Sequence, residues 1–291
     1  MPRLALLLTT LIWGATFPAT KAVLEQVPPL TFLFLRFVIA ASLVFAVLRF
    51  SGRRLPRDPF TLRISFIATV WLFLGYVLQT VGLHYTTASN SAFITVLYVV
   101  FVPIFLRRWA ARGWLAALLA MVGLWFLVKP EAGGGLGDLL TLSCAVAFAA
   151  HIACLERFTR VADPVAVFAW QLAFVTPALF GMMVWESPSS SAFALTPVLT
   201  VALGITGLFA TGAFAVQVWA QRLLPAQQVA LLFSLEPACA SWLAWYFLGE
   251  TMDAHAWLGS LLILAGVLMG SLQDEPLPAM DQFEIKSMSV K

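Results

Sequence analysis

The chain has 291 residues, of which 61% are hydrophobic and only 11% charged, with a formal net charge of +3. Soluble domains carry about 25% charged residues. A water-soluble protein of this length could not hide so much apolar surface, so that class is excluded and the solvent is lipid. The three cysteines, Cys144, Cys154 and Cys239, lie inside apolar runs, with neither metal-ligand spacing nor the pattern of a disulfide framework.

Apolar segments of about 20 residues, the length that crosses the hydrocarbon, recur along the whole chain. Ten are expected, at 4–24, 30–49, 62–83, 88–106, 111–128, 136–156, 164–185, 195–221, 226–248 and 255–272. The connections are short and carry breakers: Pro28–Pro29, Ser51–Gly52, Gly133–Gly134–Gly135, Asp163–Pro164, Ser187–Pro188 and Pro225. The first segment has Arg3 ahead of apolar residues, as a signal sequence does. It runs on through Gly14, Thr16, Pro18 and Lys21 without a small-residue cleavage site, and is read as the first helix.

The basic residues test the count. With the N-terminus in the cytoplasm and ten alternating helices, all but three of the 17 Lys and Arg fall on the cytoplasmic side. Lys21 and Lys129 lie opposite, and Arg36 lies within the second helix. That bias is what the positive-inside rule expects. The tail, 274–291, is then cytoplasmic.

An internal repeat decides the architecture. WLAALLAMVGL (114–124) aligns with WLGSLLILAGV (257–267), and LLTT (7–10) with LLTL (139–142). Arg36 matches Gln171, each seven residues after a proline, and Gln79 matches Gln217. Ser89 and Asn90 face Gln227 and Gln228 in the same alignment. The expected fold is an all-α integral membrane protein with ten transmembrane helices in two five-helix repeats, 1–131 and 132–273. An odd number of helices per repeat inverts the second copy relative to the first. Inverted repeats put a substrate site between the halves near the midplane, with alternating access by rocking of one half against the other.

The same residues resemble a known family. LLTTLIWGATFPATKAVLEQVPPLTFLFLRFVIAA, with Trp13–Gly14 and Arg36, is similar to the first two helices of EamA-type carriers of the drug/metabolite transporter superfamily. SLEPACASWLAWYFLGETMDAHAWLGSLLILAGVLM (234–269) resembles that family's closing signature: a Pro in the ninth helix, a Gly–Glu at its end and a Gly-rich tenth helix. The resemblance covers nearly the whole chain, is nearest to YddG-type amino-acid exporters, and implies a secondary carrier of small metabolites. The halves are not chemically equivalent: Tyr98–Val99 stand where the second half has Glu236–Pro237.

Helical spacing nominates cavity walls. Thr9, Trp13, Thr16 and Thr20 form one stripe in the first helix, and Ser91, Thr95 and Tyr98 another in the fourth. Tyr76 and Gln79, Cys144, Phe148 and His151, Trp170 and Gln171, and Gln217 and Gln221 with Phe214 add further polar and aromatic groups. The substrate-binding candidates are Trp13, Thr16, Tyr76, Gln79, Thr95, Tyr98, His151, Trp170, Gln171, Gln217 and Glu236, with Pro18, Pro103 and Pro237 as hinges. The fifth and tenth helices carry small residues instead (Ala116, Ala120, Gly123; Gly259, Gly266, Gly270) and are read as scaffold. Each candidate has a structural rival. The hydroxyls can bond the carbonyl a turn earlier, and His151 can be a satisfied core histidine. Arg36 is read as pairing with helix-end carbonyls or a carboxylate in preference to substrate. Glu250 is read as an outer-interface residue.

Two other classes fare worse. An intramembrane enzyme would need a zinc pair or an aspartate dyad, and a channel a filter motif or charged rings. The sequence has none of these, so no catalytic residue, metal or cofactor is expected. Aromatic walls, neutral amides and few fixed charges suit a modest-sized zwitterionic or neutral metabolite. Multiply charged phosphate esters would call for several Lys or Arg. With the resemblance, this favours export of amino acids, large neutral or aromatic ones, with another small neutral metabolite or a drug as the alternative. The remaining expectations are a monomer in the cell's inner or plasma membrane, both termini cytoplasmic. Its partners are the lipid bilayer and the substrate, with protons as a candidate coupling ion and no nucleic acid.

Overall fold

The computed structural model describes residues 2–107, 111–128, 135–239, 242 and 253–271, and among them all regular structure is helical. The helices are α1 (Pro2–Val23), α2 (Pro29–Phe50), α3 (Pro59–Tyr85), α4 (Ala88–Thr95), α5 (Tyr98–Leu106), α6 (Ala111–Val128), α7 (Leu136–Val161), α8 (Pro164–Glu186), α9 (Pro197–Leu203), α10 (Ala210–Gln221), α11 (Ala226–Phe233) and α12 (Ala254–Ser271). Six stretches are long and apolar enough to cross a membrane: α1, α2, α3, α7, α8 and Pro197–Gln221. Asn90–Leu106, Gly113–Phe126 and Trp257–Gly266 are shorter apolar helices. Glu250 and the second half of the segment expected at 226–248, apart from Trp242, lie outside the described residues.

Local chemistry explains where several helices begin. α2, α3, α8 and α9 carry proline in their first turn, where its missing N–H costs nothing. Asp58, Asp163 and Thr196 precede three of these prolines and accept from Thr61 N, Val165 N and Leu199 N at 2.9, 3.2 and 3.2 Å. The N–H of Thr61 holds the Asp58 carboxyl below the usual carboxylate range. Two buried or half-buried acids cap helices from a distance. Glu186, at the end of α8, accepts from Leu30 N and Thr31 N at 3.0 and 2.7 Å, at the start of α2. Glu156 in α7 accepts from Ala226 N at the start of α11 at 2.5 Å. Lys21 works at the opposite pole, donating to Leu83 O and Thr86 O at 2.9 and 2.8 Å, where α3 ends.

Two segments expected as unbroken helices are interrupted. The first, 88–106, breaks at Val96–Leu97, and the second, 226–248, at Ser234–Leu235. In the second case the local sequence supplies a reason. Ser234 Oγ donates to Leu231 O at 2.7 Å, tightening the turn, and Pro237 has no N–H to carry the ladder across. In the first, Leu97 N bonds Ile94 O at 3.1 Å and Val99 N bonds Val96 O at 3.0 Å. No side chain there disfavours a helix. The turn is held by packing, since Val96, Tyr98 and Val99 are all buried in one apolar cluster. The segment 195–221 also departs from a regular helix, widening to a π-type turn at Gly204–Phe209. Gly207 in that turn lets the chain close on α2: a Cβ there would stand 3.2 Å from Ile39 and 3.4 Å from Arg36 O.

α3 packs on α7, α2 on α8, α1 on α10, α5 on α11 and α6 on α12. The α6–α12 contact is backbone on backbone. A Cβ at Gly123 would lie 2.6 Å from Gly259 O, and one at Gly266 would lie 2.7 Å from Ala116 O. Outward faces carry exposed large apolar residues, among them Leu115, Leu118 and Trp125 on α6 and Leu258, Leu261 and Leu268 on α12. That surface is stable only against lipid.

Gly123→Leu and Gly266→Leu should each destabilise the protein by at least about 1–3 kcal/mol, the cost of overpacking a close contact. Thermal unfolding in detergent should show lower midpoints for both, with Gly181→Ala, which meets nothing within 4 Å, as an unaffected control. Unchanged midpoints for both leucine variants would contradict the contact.

Candidate functional site

Nine polar and several aromatic residues converge on one interior cavity. Trp13, Thr16 and Phe17 reach it from α1, Arg36 from α2, and Leu72, Tyr76 and Gln79 from α3. Thr95 and Tyr98 enter from either side of the break between α4 and α5. Phe148, His151 and Ile152 come from α7, Phe214 and Gln217 from α10, and Glu236 from just beyond the turn that follows α11. Neither α6 nor α12 contributes, in keeping with their close-packed contact.

The two helix breaks meet here. Tyr98 is the first residue after one break and Glu236 the first helical residue after the other, and the Tyr98 hydroxyl donates to Glu236 Oε1 at 3.3 Å. The Glu236 side chain is 2% exposed, so the bond lies in the protein interior. Nearby, Gln79 Nε2 donates to Thr95 Oγ1 at 3.3 Å. Gln217 Nε2 donates to Gln221 Oε1 at 3.1 Å, and Gln221 Nε2 to Ile152 O at 2.8 Å. Gln217 Oε1 and Trp13 Nε1 are buried with no hydrogen-bond partner among the described residues.

Aromatic rings close the walls. Tyr76 meets Phe37 and Phe148 edge-on, with centroids 5.1 and 5.2 Å apart. Trp13 lies 5.0 Å from Phe233, and Phe214 lies 5.0 Å from Phe168 and 5.7 Å from His151. Such pairs favour tilted and edge-to-face geometry and hold each ring in place.

Of the residues nominated from spacing, Trp13, Thr16, Tyr76, Gln79, Thr95, Tyr98, His151, Gln217 and Glu236 line the cavity. Gln171 does not. It is fully buried behind the wall, its Oε1 2.7 Å from His151 Nε2 and its Nε2 donating to Val167 O at 3.2 Å. With the amide so oriented, His151 Nε2 carries the proton. Trp170, the residue before Gln171, points elsewhere, about 100° round the helix from it. Its Nε1 donates to Pro56 O at 2.8 Å, beside a groove lined by Arg49, Arg53, Arg54 and Arg57. Pro18 and Pro103 lie inside α1 and α5, and Pro237 follows Glu236 directly.

Arg36 was the residue that spacing misjudged. It bonds no helix-end carbonyl and no carboxylate among the described residues. Its Nη2 donates to Tyr76 Oη at 3.2 Å, and its guanidinium carbon sits 4.5 Å from the Tyr76 ring centroid. The sequence held one usable signal, the alignment of Arg36 with Gln171, since both matched positions prove to be buried and polar. Among the described residues no three His, Cys, Asp or Glu side chains gather as metal ligands would.

The EamA-like transporter model matches the chain twice, at residues 2–129 and 135–272. An Archaeoglobus fulgidus protein described as an uncharacterized transporter is 34% identical over 93% of the chain and 85% of its own length. A Salmonella typhimurium protein described as a probable amino-acid metabolite efflux pump is 26% identical over 90% of the chain and 91% of its own length. A solved crystal structure superposes with a TM-score of 0.76 over 94% of the chain and 98% of that chain, at 18% identity, and so shares the fold. A lipid-facing helical protein whose interior polar groups gather in one cavity, matched along nearly its full length, is a member of the EamA-like transporter family.

Proposed function

We propose that the protein is a secondary carrier that exports small metabolites, in the first place large neutral and aromatic amino acids, by alternating access. The carrier has ten transmembrane helices in two inverted five-helix halves, residues 1–131 and 132–273, with both termini in the cytoplasm and the cavity between the halves. The observation that carries this reading is the convergence at the cavity of matched positions from the two halves. Tyr98 and Glu236, 138 residues apart, touch each other. Gln79 and Gln217, also 138 residues apart, both line the cavity. The double match of one family model fits two copies of one unit. Helix pairing fits them too, since α1 on α10 and α3 on α7 exchange when the first half is mapped on the second.

Moving a solute across requires that one end of the cavity close as the other opens. The helix breaks at Val96–Leu97 and Ser234–Leu235 and the prolines at 18, 103 and 237 are the points where helices can flex without losing their ladders. The amide and hydroxyl groups on the wall can follow a polar solute, and the aromatic rings give an apolar side chain a surface to leave water for. The description of the Salmonella relative favours amino acids, and the wall supports that class.

Flux of L-phenylalanine in proteoliposomes, with and without an imposed pH gradient, tests both substrate and coupling. Saturable flux is expected. Acceleration by the gradient would identify protons as the coupling ion, and indifference to it a uniporter. Trp13→Ala and Gln79→Ala should each lower the initial rate about tenfold, equivalent to about 1.4 kcal/mol, while purifying as folded protein. Rates equal to wild type in both variants would contradict the cavity assignment. Pro237→Ala, which restores a backbone donor at the second break, should slow turnover with little change in KM, read from the same flux assay. Unaltered turnover would rule out flexing at that position.

A further inference from the structure

The cavity wall carries one guanidinium, Arg36, and one carboxyl, Glu236. Both are more than nine-tenths buried, at 8% and 2% exposure. Among the described residues neither forms an ion pair. Arg36 bonds only the Tyr76 hydroxyl and lies over the Tyr76 and Phe37 rings, and Glu236 accepts only from Tyr98. A charge taken out of water is costly unless an opposite charge and further hydrogen bonds meet it. Two more polar atoms on the wall await partners: the donor Trp13 Nε1 and the acceptor Gln217 Oε1. The unmet groups thus come as two donors and two acceptors, a guanidinium and a carboxyl group among them.

A ligand that satisfies this set carries both a carboxylate and an ammonium and has no net charge. From these groups we infer that the cavity binds its substrate as a zwitterion, the carboxylate on the Arg36 guanidinium and the ammonium on the Glu236 carboxylate. This deepens the amino-acid reading and rests on it. Arg36 suits its role because a planar guanidinium held over an aromatic ring keeps its outer N–H groups in a fixed fork. The Tyr98 hydroxyl, which now occupies Glu236 Oε1, is a neutral placeholder that an ammonium displaces or joins. A ligand lacking either charge leaves one buried group unmet, and sites of that kind reject the incomplete analogue strongly.

The test is competition against labelled L-phenylalanine flux into proteoliposomes containing the full chain. The competitors are unlabelled L-phenylalanine, phenethylamine, which lacks the carboxylate, and 3-phenylpropionate, which lacks the ammonium. In the wild type each analogue should compete about 100-fold more weakly than phenylalanine. Arg36→Gln should narrow the gap between phenylalanine and phenethylamine to about tenfold while leaving the phenylpropionate gap in place, and Glu236→Gln should do the converse. A merely structural role for either residue would weaken all three competitors by a common factor and would overturn the assignment. Wild-type competition needs no variant to fold. If either analogue competes as well as phenylalanine there, the zwitterion inference fails while amino-acid transport stands. Absence of any phenylalanine flux overturns the proposed function and this inference together.

Discussion

A carboxyl group cannot face hydrocarbon, and the position of Glu236 in an apolar helix therefore constrains everything around it. The group has to be enclosed by protein, its lone pairs need a donor, and the backbone beside it is interrupted by Pro237. The structure meets all three demands at once. The turn at Ser234–Leu235 bonds Ala230 O, Leu231 O and Leu232 O, the Tyr98 hydroxyl reaches Glu236 from a second broken helix, and polar residues from α1, α2, α3, α7 and α10 surround the pair. Helices with no polar face to bury, α6 and α12, are left to pack through glycine on the outside.

The same constraint explains what could be read from the chain and what could not. Trp13 and Thr16 are three residues apart in the unbroken α1, so the 3.6-residue period put them on one face, and both line the cavity. Thr95 and Tyr98 reach it from either side of a break that the period did not foresee. The glycines of α6 and α12 advertised close packing because no other residue allows backbones to touch. The first helix break was invisible, because Val96 and Leu97 are ordinary helix formers and only packing against the core bends the chain there. Arg36 was misjudged for a related reason: a guanidinium stacked on Tyr76 is stabilised by a ring 40 residues away. Glu156, Glu186 and Lys21 serve helix ends distant in sequence, which no local pattern encodes. Trp170 and Gln171 show the limit of nominating adjacent residues together, since one faces the arginine-lined groove and the other stands behind His151.

Membership of the EamA-like family gives the broad activity, and the wall chemistry narrows it. A cavity with rings, amides, one guanidinium and one carboxyl group is poorly matched to phosphate esters or to polycations, and suits the proposed zwitterion with an apolar side chain. In the proposed mechanism the two breaks, placed against each other, are where the helices flex. Both features follow from one placement: the two helix breaks lie where polar side chains from several helices gather in the interior, away from lipid.

Alternating access is the central claim, and sided thiol labelling tests it most directly. Cys144, Cys154 and Cys239 are replaced by serine, and Thr16→Cys and Gln217→Cys are introduced singly into the cavity wall. Each is then exposed to a membrane-impermeant reagent from one side of oriented vesicles at a time. The predicted result is labelling from either side in different fractions of the population, with L-phenylalanine shifting the balance between the two. Simultaneous access from both sides, as in an open channel, or access from one side only whatever substrate is present, would contradict it.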